Sequence, residues 1–300
     1  MSALARSYSI SELQLTRCTP VFSLTASKLM FEITSNKFDA NWIDTSYAPT
    51  FIEKQFTTDV FNKFKVTFLS QIQSSTRNTF TGFDKFPNID ICAGCTQYID
   101  NLYLLYGQEN IQVLVGEYPY HTRLYPKTSF VTVNTLIPDK HLIISLPFAT
   151  GNIHLDMQQI LDECIKLNIT VHIDAAWLGI ANNITFNFSH HAINSIGLSM
   201  SKGYGLGWNR IGLRLQRAAI NDSIKIINDF NMLPAITVCV GNYFLDKLNF
   251  DHMWDTYEQF YYKICKDFNL TPTNSVHVAL DSTGNTVGLC RLLMFLESNN

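Results

Sequence analysis

Several features that would assign a chain to a specialised class of protein are missing from this sequence. No hydrophobic run reaches the length of a transmembrane helix, and the first residues lack the hydrophobic region of a secretory signal. The net charge of −3 comes without a cluster of basic residues, so nothing supports nucleic-acid binding. The sequence contains no internal repeat. We therefore expect a globular protein that has neither a membrane nor a nucleic acid as its partner.

Cysteine is present, but it forms no recognisable framework. The seven cysteines are an odd number and are scattered along the chain. Cys92 and Cys95 form the only close pair, and no second pair or histidine cluster completes a zinc or redox motif. Cysteines without a disulfide framework are typical of a reducing compartment. We expect a cytoplasmic protein without a metal site.

The composition is that of a folded chain with a substantial core. Of the 300 residues, 46% are hydrophobic and 16% are charged, which fits a globular rather than a disordered protein. This length suggests one large or two medium domains. Residues 1 to about 50 are poorly patterned and carry Thr, Ser and Asn throughout. They form either an arm over a partner subunit or part of a small domain.

Two short hydrophobic runs near the middle of the chain are each followed by a chemically active side chain. The runs Val171–Ile173 and Ser195–Leu198 are typical of buried strands, and Asp174 and Lys202 follow them. The carboxyl ends of neighbouring strands are where an α/β sheet binds its ligand. A lysine in a glycine-rich turn is commonly solvated, and an aspartate after a strand is commonly a turn residue. These alternatives need a separate explanation for each residue, whereas one ordered pattern accounts for several of these residues together.

That pattern is Ser-x-x-Lys-x7-Arg-x-Gly, formed by Ser199, Lys202 and Arg210. It resembles the Schiff-base segment of the fold type I pyridoxal-phosphate (PLP) enzymes, the aspartate aminotransferase-like family of class I/II aminotransferases. The resemblance implies that Lys202 holds the cofactor aldehyde as an internal aldimine. It also implies that Ser199 and Arg210 bind the phosphate and that Asp174 pairs with the pyridine nitrogen. The residue types suit these roles, because a lysine amine forms a reversible imine and a carboxylate stabilises a protonated ring nitrogen.

A second part of the phosphate site is predicted earlier in the chain. A strand around Ile91 is followed by the turn Gly94, Cys95 and Thr96 and then by a helix that ends near Tyr106. A helix that begins at such a turn points free amide groups at an anion. The turn is similar to the first phosphate contact of the family. The resemblance therefore assigns these three turn residues to the cofactor, with a plain helix cap as the alternative.

The next predicted strand, Gln112–Val115, leads to a motif that is similar to the family's aromatic-Pro-x-His. The resemblance implies that Tyr118 stacks on the cofactor ring and that His121 hydrogen-bonds the carboxylate of Asp174. Ala176 would then pack on the opposite face of the ring. An aromatic side chain offers a stacking geometry that suits a flat conjugated ring. A Tyr-Pro turn that packs on the core is the alternative.

Two residues depart from the family pattern. The turn at residues 147–151 resembles the family's Asn-Pro-Thr-Gly turn, but Phe148 stands in place of the asparagine that contacts the cofactor's ring oxygen. Trp177 stands where a tyrosine that contacts the same oxygen is expected. An indole nitrogen donates one hydrogen bond and accepts none. These departures concern the reaction type rather than the cofactor, and Trp177 still counts among the expected cofactor-binding residues.

The predicted fold class is α/β: a mostly parallel sheet with helices on both faces, plus a small α+β domain at the carboxyl terminus. The helix Met157–Leu167 between two strands makes a βαβ unit. The large PLP-binding domain is expected over residues 50–216, and the small domain over residues 217–300 with part of residues 1–49. Helices are also expected at Thr57–Gln73, Ala218–Phe230, Ile236–Leu248 and Met253–Phe268, and strands at Ser275–Ala279 and Val287–Phe295.

The small domain carries one candidate substrate ligand. The family uses an arginine there to bind the substrate's α-carboxylate, and Arg291 is the only arginine in the last eighty residues. An arginine matches a carboxylate with two parallel hydrogen bonds. The resemblance thus implies that Arg291, on the strand Val287–Phe295, binds substrate; a surface arginine is the alternative.

The resemblance implies a PLP-dependent aminotransferase that acts on amino acid and keto acid substrates as a homodimer. A lyase or decarboxylase of the same fold remains open. The Asp-Ala-Ala-Trp segment also resembles the group II decarboxylases, but those enzymes precede their lysine with Asn-Pro-His, where this chain has Ser199-Met200-Ser201. A C–S lyase is equally open. A catalytically degenerate protein of the fold and a structural protein without cofactor are the remaining alternatives.

Overall fold

The chain folds as a mixed arrangement of helices and strands. The structure is a computed structural model that describes residues 21, 23–35, 60–230 and 232–298. Within these ranges the strands are β1 (Thr79–Thr81), β2 (Asn88–Cys92), β3 (Ile111–Leu114), β4 (Ser129–Val131), β5 (His141–Ser145), β6 (Thr170–Ala175), β7 (Thr185–Asn187), β8 (Ile193–Ser199), β9 (Gly212–Gln216), β10 (Thr271–Pro272), β11 (Val278–Leu280) and β12 (Thr286–Gly288).

Helices connect and cover these strands. Over the same ranges they are α1 (Leu24–Ser35), α2 (Val60–Gln73), α3 (Gly94–Tyr106), α4 (Tyr120–Leu124), α5 (Met157–Lys166), α6 (Met200–Gly203), α7 (Ser223–Asp229), α8 (Ala235–Lys247), α9 (His252–Phe268) and α10 (Cys290–Ser298). In the described part of the chain, no helix combines the length and the hydrophobicity needed to cross a bilayer.

The centre of the molecule is a seven-stranded sheet with the order β2-β9-β8-β6-β5-β3-β4. Strand β9 is antiparallel to β2 and β8, whereas the other neighbours pair in parallel. Every residue of β3 and β9 is buried, as in a sheet that is covered on both faces. The predicted mostly parallel α/β sheet is confirmed.

The register of the sheet places three strand ends side by side. Ser145 of β5 pairs with Asp174 of β6, which in turn pairs with Gly197 of β8. Because parallel strands end at the same edge of a sheet, the loops that follow them are neighbours. Helix α5 connects β5 to β6 and buries Ile160 and Leu161, which confirms the predicted βαβ unit.

The carboxyl-terminal part contains a second, antiparallel sheet. Its order is β10-β11-β12, and α9 and α10 pack on each other beside it. The predicted strand Val287–Phe295 is wrong beyond Gly288, because Cys290–Ser298 is a helix that buries Leu292 and Leu293. A short hydrophobic run fits a buried strand and a buried helix equally well, and here the helix formed.

The hydrophobic clusters do not divide the chain at the predicted domain boundary. One cluster includes the large sheet, α2 and residues Val238 to Phe250, whereas a second cluster includes Met253 to Leu293 with Val21 and Ile180. Helix α8 thus packs with the large sheet rather than with the three-stranded sheet. The division at residue 217 stays a prediction. Most of residues 1 to about 50, for which an arm or part of a small domain is predicted, lies outside the described residues.

Candidate active site

A cavity opens at the edge of the large sheet where β5, β6 and β8 end. It encloses about 680 Å³, counting the space open to solvent. Ser145, Pro147 and Ala149 form part of its wall. Most of the site residues singled out in the sequence also line it, namely Cys95, Thr96, Tyr118, Asp174, Ala176, Trp177, Ser199, Lys202 and Arg210.

Lys202 reaches this cavity from the one-turn helix α6. The helix begins directly after β8, and the hydroxyl of Ser199 caps it by accepting a hydrogen bond from the amide of Ser201 at 3.2 Å. The Lys202 side chain is half-buried, and its amine makes no hydrogen bond or ion pair within the described part of the chain. The Lys202 amine therefore faces the cavity without a protein partner among the described residues.

Asp174 is a buried carboxylate beside this lysine. It lies at the end of β6, is 5% exposed, and accepts a hydrogen bond from the amide of Ala176 at 3.0 Å. Burial raises its pKa, while a hydrogen bond from the Cys95 thiol and the positive charges of Lys202 and Arg210 favour the ionised form. A cationic ligand in the cavity would therefore meet a carboxylate that has little water to compete with it.

An anion cradle lies at the start of α3. The Arg210 guanidinium donates a hydrogen bond to the Thr96 hydroxyl at 2.7 Å. Gly94 has φ +72°, and a Cβ there would lie 2.9 Å from the Ser199 hydroxyl and 3.5 Å from the Arg210 guanidinium. Ala93 offers no side-chain cap, so the first amides of this 13-residue helix remain free for a ligand. The residues that the sequence assigned to a phosphate are therefore brought together here.

Sequence comparisons relate the chain to no family model and to no curated protein. Solved structures are similar to it, at low sequence identity. An aminotransferase from Mycobacterium tuberculosis matches 93% of this chain and 82% of its own, with a TM-score of 0.55 and 12% identity. A putative histidinol-phosphate aminotransferase from Erwinia carotovora atroseptica matches 97% of this chain and 96% of its own, with a TM-score of 0.55 and 11% identity. A PLP-bound C–S lyase from Staphylococcus hominis matches 76% and 70%, with a TM-score of 0.54 and 12% identity.

The chain has the fold of these enzymes. It is the fold type I, aspartate aminotransferase-like fold that the Ser199–Arg210 segment predicted from the sequence.

Within this fold, Tyr118 stands at the cavity in the turn that follows β3. Its ring lies parallel to that of Tyr120, with 5.7 Å between the ring centroids. The amide of Tyr118 donates to Glu117, whose carboxylate also accepts hydrogen bonds from Ser145. Neither Glu117 nor Ser145 is predicted as a site residue from the sequence. The position of Glu117 directly before the Tyr-Pro motif was the only signal available, since its partner lies 28 residues away.

The structure does not join His121 to Asp174, which corrects the predicted hydrogen bond. Helix α4 begins at Tyr120 and turns His121 into the core, where its Nδ1 lies 2.9 Å from the hydroxyl of Tyr103. The Nε2 atom is buried without a partner. Burial lowers the pKa of His121 to about 4. The Cys95 thiol takes the place of the predicted partner, because burial keeps it protonated and it donates to Asp174.

The two departures from the family pattern have different surroundings. Phe148 is buried and packs edge-on against His154, with 5.0 Å between the ring centroids, and it does not line the cavity. Trp177 is half-buried and does line it, between the cavity and the second hydrophobic cluster. An indole therefore forms the cavity wall next to Asp174 and Lys202.

Arg291 lies away from the cavity. It stands on α10 rather than on a strand, its side chain is exposed, and it does not line the cavity. The buried face of this helix is formed by Cys290, Leu292 and Leu293, which leaves Arg291 on the outer face. The structure therefore brings the predicted cofactor residues together but does not bring the predicted substrate arginine to them.

Proposed function

We propose that this protein is a PLP-dependent enzyme that transfers the amino group of an amino acid to a keto acid. The observation that carries the proposal is the meeting, in one cavity, of the free amine of Lys202, the buried carboxylate of Asp174 and an anion cradle. The cradle is formed by Thr96, Ser199 and Arg210. Lys202, Ser199 and Arg210 belong to the segment around the end of β8, whereas Asp174 ends β6 and Thr96 lies at the start of α3, so the combination is not a by-product of one local turn.

The residues present fit the cofactor. The space that a Cβ at Gly94 would fill lies between two phosphate-binding groups, so the backbone can approach a phosphate closely. Tyr118 and Ala176 would hold the two faces of the ring, and Asp174 would bind the ring nitrogen. When bound, PLP would supply a conjugated ring that accepts electron density from the substrate's Cα.

The chain's own residues would handle the protons. Lys202 would hold the cofactor through its aldehyde, and the amine of the same residue would accept and donate the protons that the transfer requires. Asp174 would stay ionised beside the protonated ring nitrogen, because the positive ring offsets the cost of burying its charge.

The test uses the purified protein with added PLP. We expect a visible absorbance band from bound cofactor, and borohydride should attach the cofactor to Lys202, as peptide mass spectrometry would show. Lys202→Ala should abolish the band and the labelling. Lys166→Ala removes an exposed lysine that pairs only with Glu163, so it should leave both unchanged. A wild-type protein that stays colourless and unlabelled would overturn the proposal.

A C–S lyase reaction is the second candidate. It is favoured by the similarity to the Staphylococcus hominis enzyme and by the Trp177 departure in the cavity wall. The two reactions give different products from an amino acid. Transamination releases more than one equivalent of keto acid per site only when a keto acid acceptor is present, whereas lysis of a sulfur-containing amino acid releases ammonia and a thiol or sulfide repeatedly without an acceptor. A screen with and without acceptor separates them, and product in neither would point to a degenerate site.

We further propose a cytoplasmic homodimer. Exposed hydrophobic side chains occur near the cavity loop: Trp208 is 91% exposed, and Ile236 on α8 is 56% exposed. Asn209 donates to the Thr237 carbonyl at 3.3 Å, which joins the Trp208 loop to the start of α8. A second subunit would cover such a surface. Light scattering should give twice the chain mass, and Trp208→Glu should shift it toward one chain mass.

The reducing compartment is supported by the free, buried thiols of Cys92, Cys95, Cys164, Cys239 and Cys265. Cell fractionation tests this part of the proposal. Recovery of the protein with extracellular or membrane fractions would contradict it.

A further inference from the structure

Glu117 is a buried carboxylate one layer behind the cavity. It is 7% exposed and sits in the turn between β3 and α4. It does not line the cavity, but both residues that it contacts do. Burying a carboxylate is costly unless hydrogen bonds compensate for the lost water. The number and direction of its hydrogen bonds therefore indicate what the residue is for.

Three donors converge on this carboxylate. Oε1 accepts from the Ser145 amide at 2.6 Å, and Oε2 accepts from the Ser145 hydroxyl at 2.7 Å and from the Tyr118 amide at 2.8 Å. Ser145 is the last residue of β5 and pairs with Asp174 in the sheet. The carboxylate thus connects the turn that carries Tyr118 to the strand end next to Asp174.

We propose that Glu117 is a positioning residue for the cofactor: its carboxylate fixes the backbone of Tyr118 to Ser145, so that the tyrosine ring keeps its place over the cavity beside Asp174. This inference rests on the function proposed above. Glu117 does not line the cavity, so it would not touch the cofactor. Its effect reaches the site through the position of the tyrosine and through its charge.

The charge of Glu117 also reaches the ring site. Burial raises the pKa of Glu117 to about 7; the hydrogen bonds from Ser145 and Tyr118 oppose this rise, and the charge of Asp174 adds to it. Burial raises the pKa of the Tyr103 hydroxyl to about 12, and the charge of Glu117 contributes to that rise. A negative charge at Glu117 favours protonation of any group bound beside Asp174. Removing the negative charge at Glu117 should therefore lower the pH at which the bound cofactor loses a proton.

The test compares Glu117→Gln with Glu109→Gln. Glutamine keeps the shape of the side chain, but it has only one acceptor oxygen for three donors. Glu109 undergoes the same change at an exposed position, where it pairs with Lys127. Two properties are measured on the full chain: the dissociation constant of PLP and the pH midpoint of the bound cofactor's absorbance change.

We expect Glu117→Gln to raise the dissociation constant about tenfold, equivalent to about 1.4 kcal/mol, and to lower the pH midpoint. Glu109→Gln should match the wild type in both. A role confined to folding would lower the melting temperature of Glu117→Gln but leave its affinity and midpoint unchanged, and that result would overturn the proposal.

Glu117→Asp keeps the negative charge, but its side chain is one methylene shorter, so the carboxylate lies farther from Ser145. It should raise the dissociation constant with little change in the midpoint, and it carries the test if Glu117→Gln does not fold. Wild-type affinity in Glu117→Asp would then overturn the inference. If the wild-type chain itself binds no PLP, the proposed function fails and this inference falls with it.

Discussion

At the scale of single residues, the site depends on side chains that act on one another before any ligand arrives. Arg210 is held by Thr96, and Asp174 is held by Cys95 and by the amide of Ala176. Such contacts reduce the number of rotamers that must be frozen when a ligand binds. The residue to test first is Arg210, because its proposed role concerns one chemical group of the cofactor.

Arg210→Ala should weaken binding of PLP by about 10- to 100-fold, since hydrogen bonds to charged groups contribute roughly 1.5–3 kcal/mol. Pyridoxal, which lacks the phosphate, should bind the variant as weakly as it binds the wild type. Fluorescence titration with both compounds measures this. Arg123→Ala removes an exposed arginine and serves as the control. An equal loss of affinity for both compounds would show that Arg210 does not act on the phosphate.

Asp174→Asn should lower turnover by about 100-fold or more, because removal of a preorganised electrostatic partner at the reacting group costs on that order. Cofactor should remain attached through Lys202, so its absorbance should persist at a shifted wavelength. Steady-state kinetics and the spectrum are measured on the same sample. Wild-type turnover in Asp174→Asn would remove this carboxylate from the proposed mechanism.

At the scale of elements, the position of Lys202 depends on how closely α6 approaches the segment Leu178–Ile180. A Cβ on Gly203 would lie 2.8 Å from the Cα of Gly179, and a Cβ on Gly179 would lie 2.9 Å from the Cα of Gly203. These neighbours are backbone atoms, which cannot move aside as the end of a side chain can. The glycine after Lys202 therefore fixes the distance between α6 and the loop that follows Asp174.

Gly203→Ala should destabilise the fold by about 1–3 kcal/mol, the typical cost of inserting a methyl group into a well-packed contact. It should also weaken cofactor binding, because α6 must shift and carries Lys202 with it. Urea unfolding and a PLP titration measure the two effects. A variant with wild-type stability and affinity would mean that the two segments separate freely.

The sequence could predict those elements whose residues are neighbours in the chain. Ser199, Lys202 and Arg210 belong to one loop, so their spacing alone carried the pattern. The hydrogen bonds from Cys95 to Asp174 and from Ser145 to Glu117 join distant segments, and no local spacing encodes them. The carboxyl-terminal helix was mistaken for a strand because its short hydrophobic run suits either element until packing decides.

At the scale of the whole molecule, acid stability follows from the buried histidines. Burial lowers the pKa of His172 to about 3 and that of His121 to about 4, from an ordinary value near 6.5. The unfolded chain therefore binds protons between pH 6.5 and 4 that the folded chain does not, and this term lowers stability as the pH falls. Glu117, whose pKa is raised to about 7, acts in the opposite direction.

A substitution isolates one of these contributions. Between pH 7 and pH 5 the wild type should lose about 2 kcal/mol of unfolding free energy through His121, because pH 5 lies about 1.5 pH units below the unfolded pKa. The variant His121→Gln should not show this loss. Denaturant unfolding at the two pH values gives the difference. His191→Gln, at an exposed position, should track the wild type. An identical pH dependence in His121→Gln and wild type would contradict the prediction.

Ser199 and Gly212 pair with each other across the antiparallel strands β8 and β9. Residues 200–211 therefore form a loop whose two ends are held together by the pairing of β8 with β9. A Cβ at Gly212 would lie 1.9 Å from the Leu198 carbonyl, so only glycine permits this closure. Lys202 and Arg210 both belong to this segment, so any shift of the segment moves the amine and the guanidinium together.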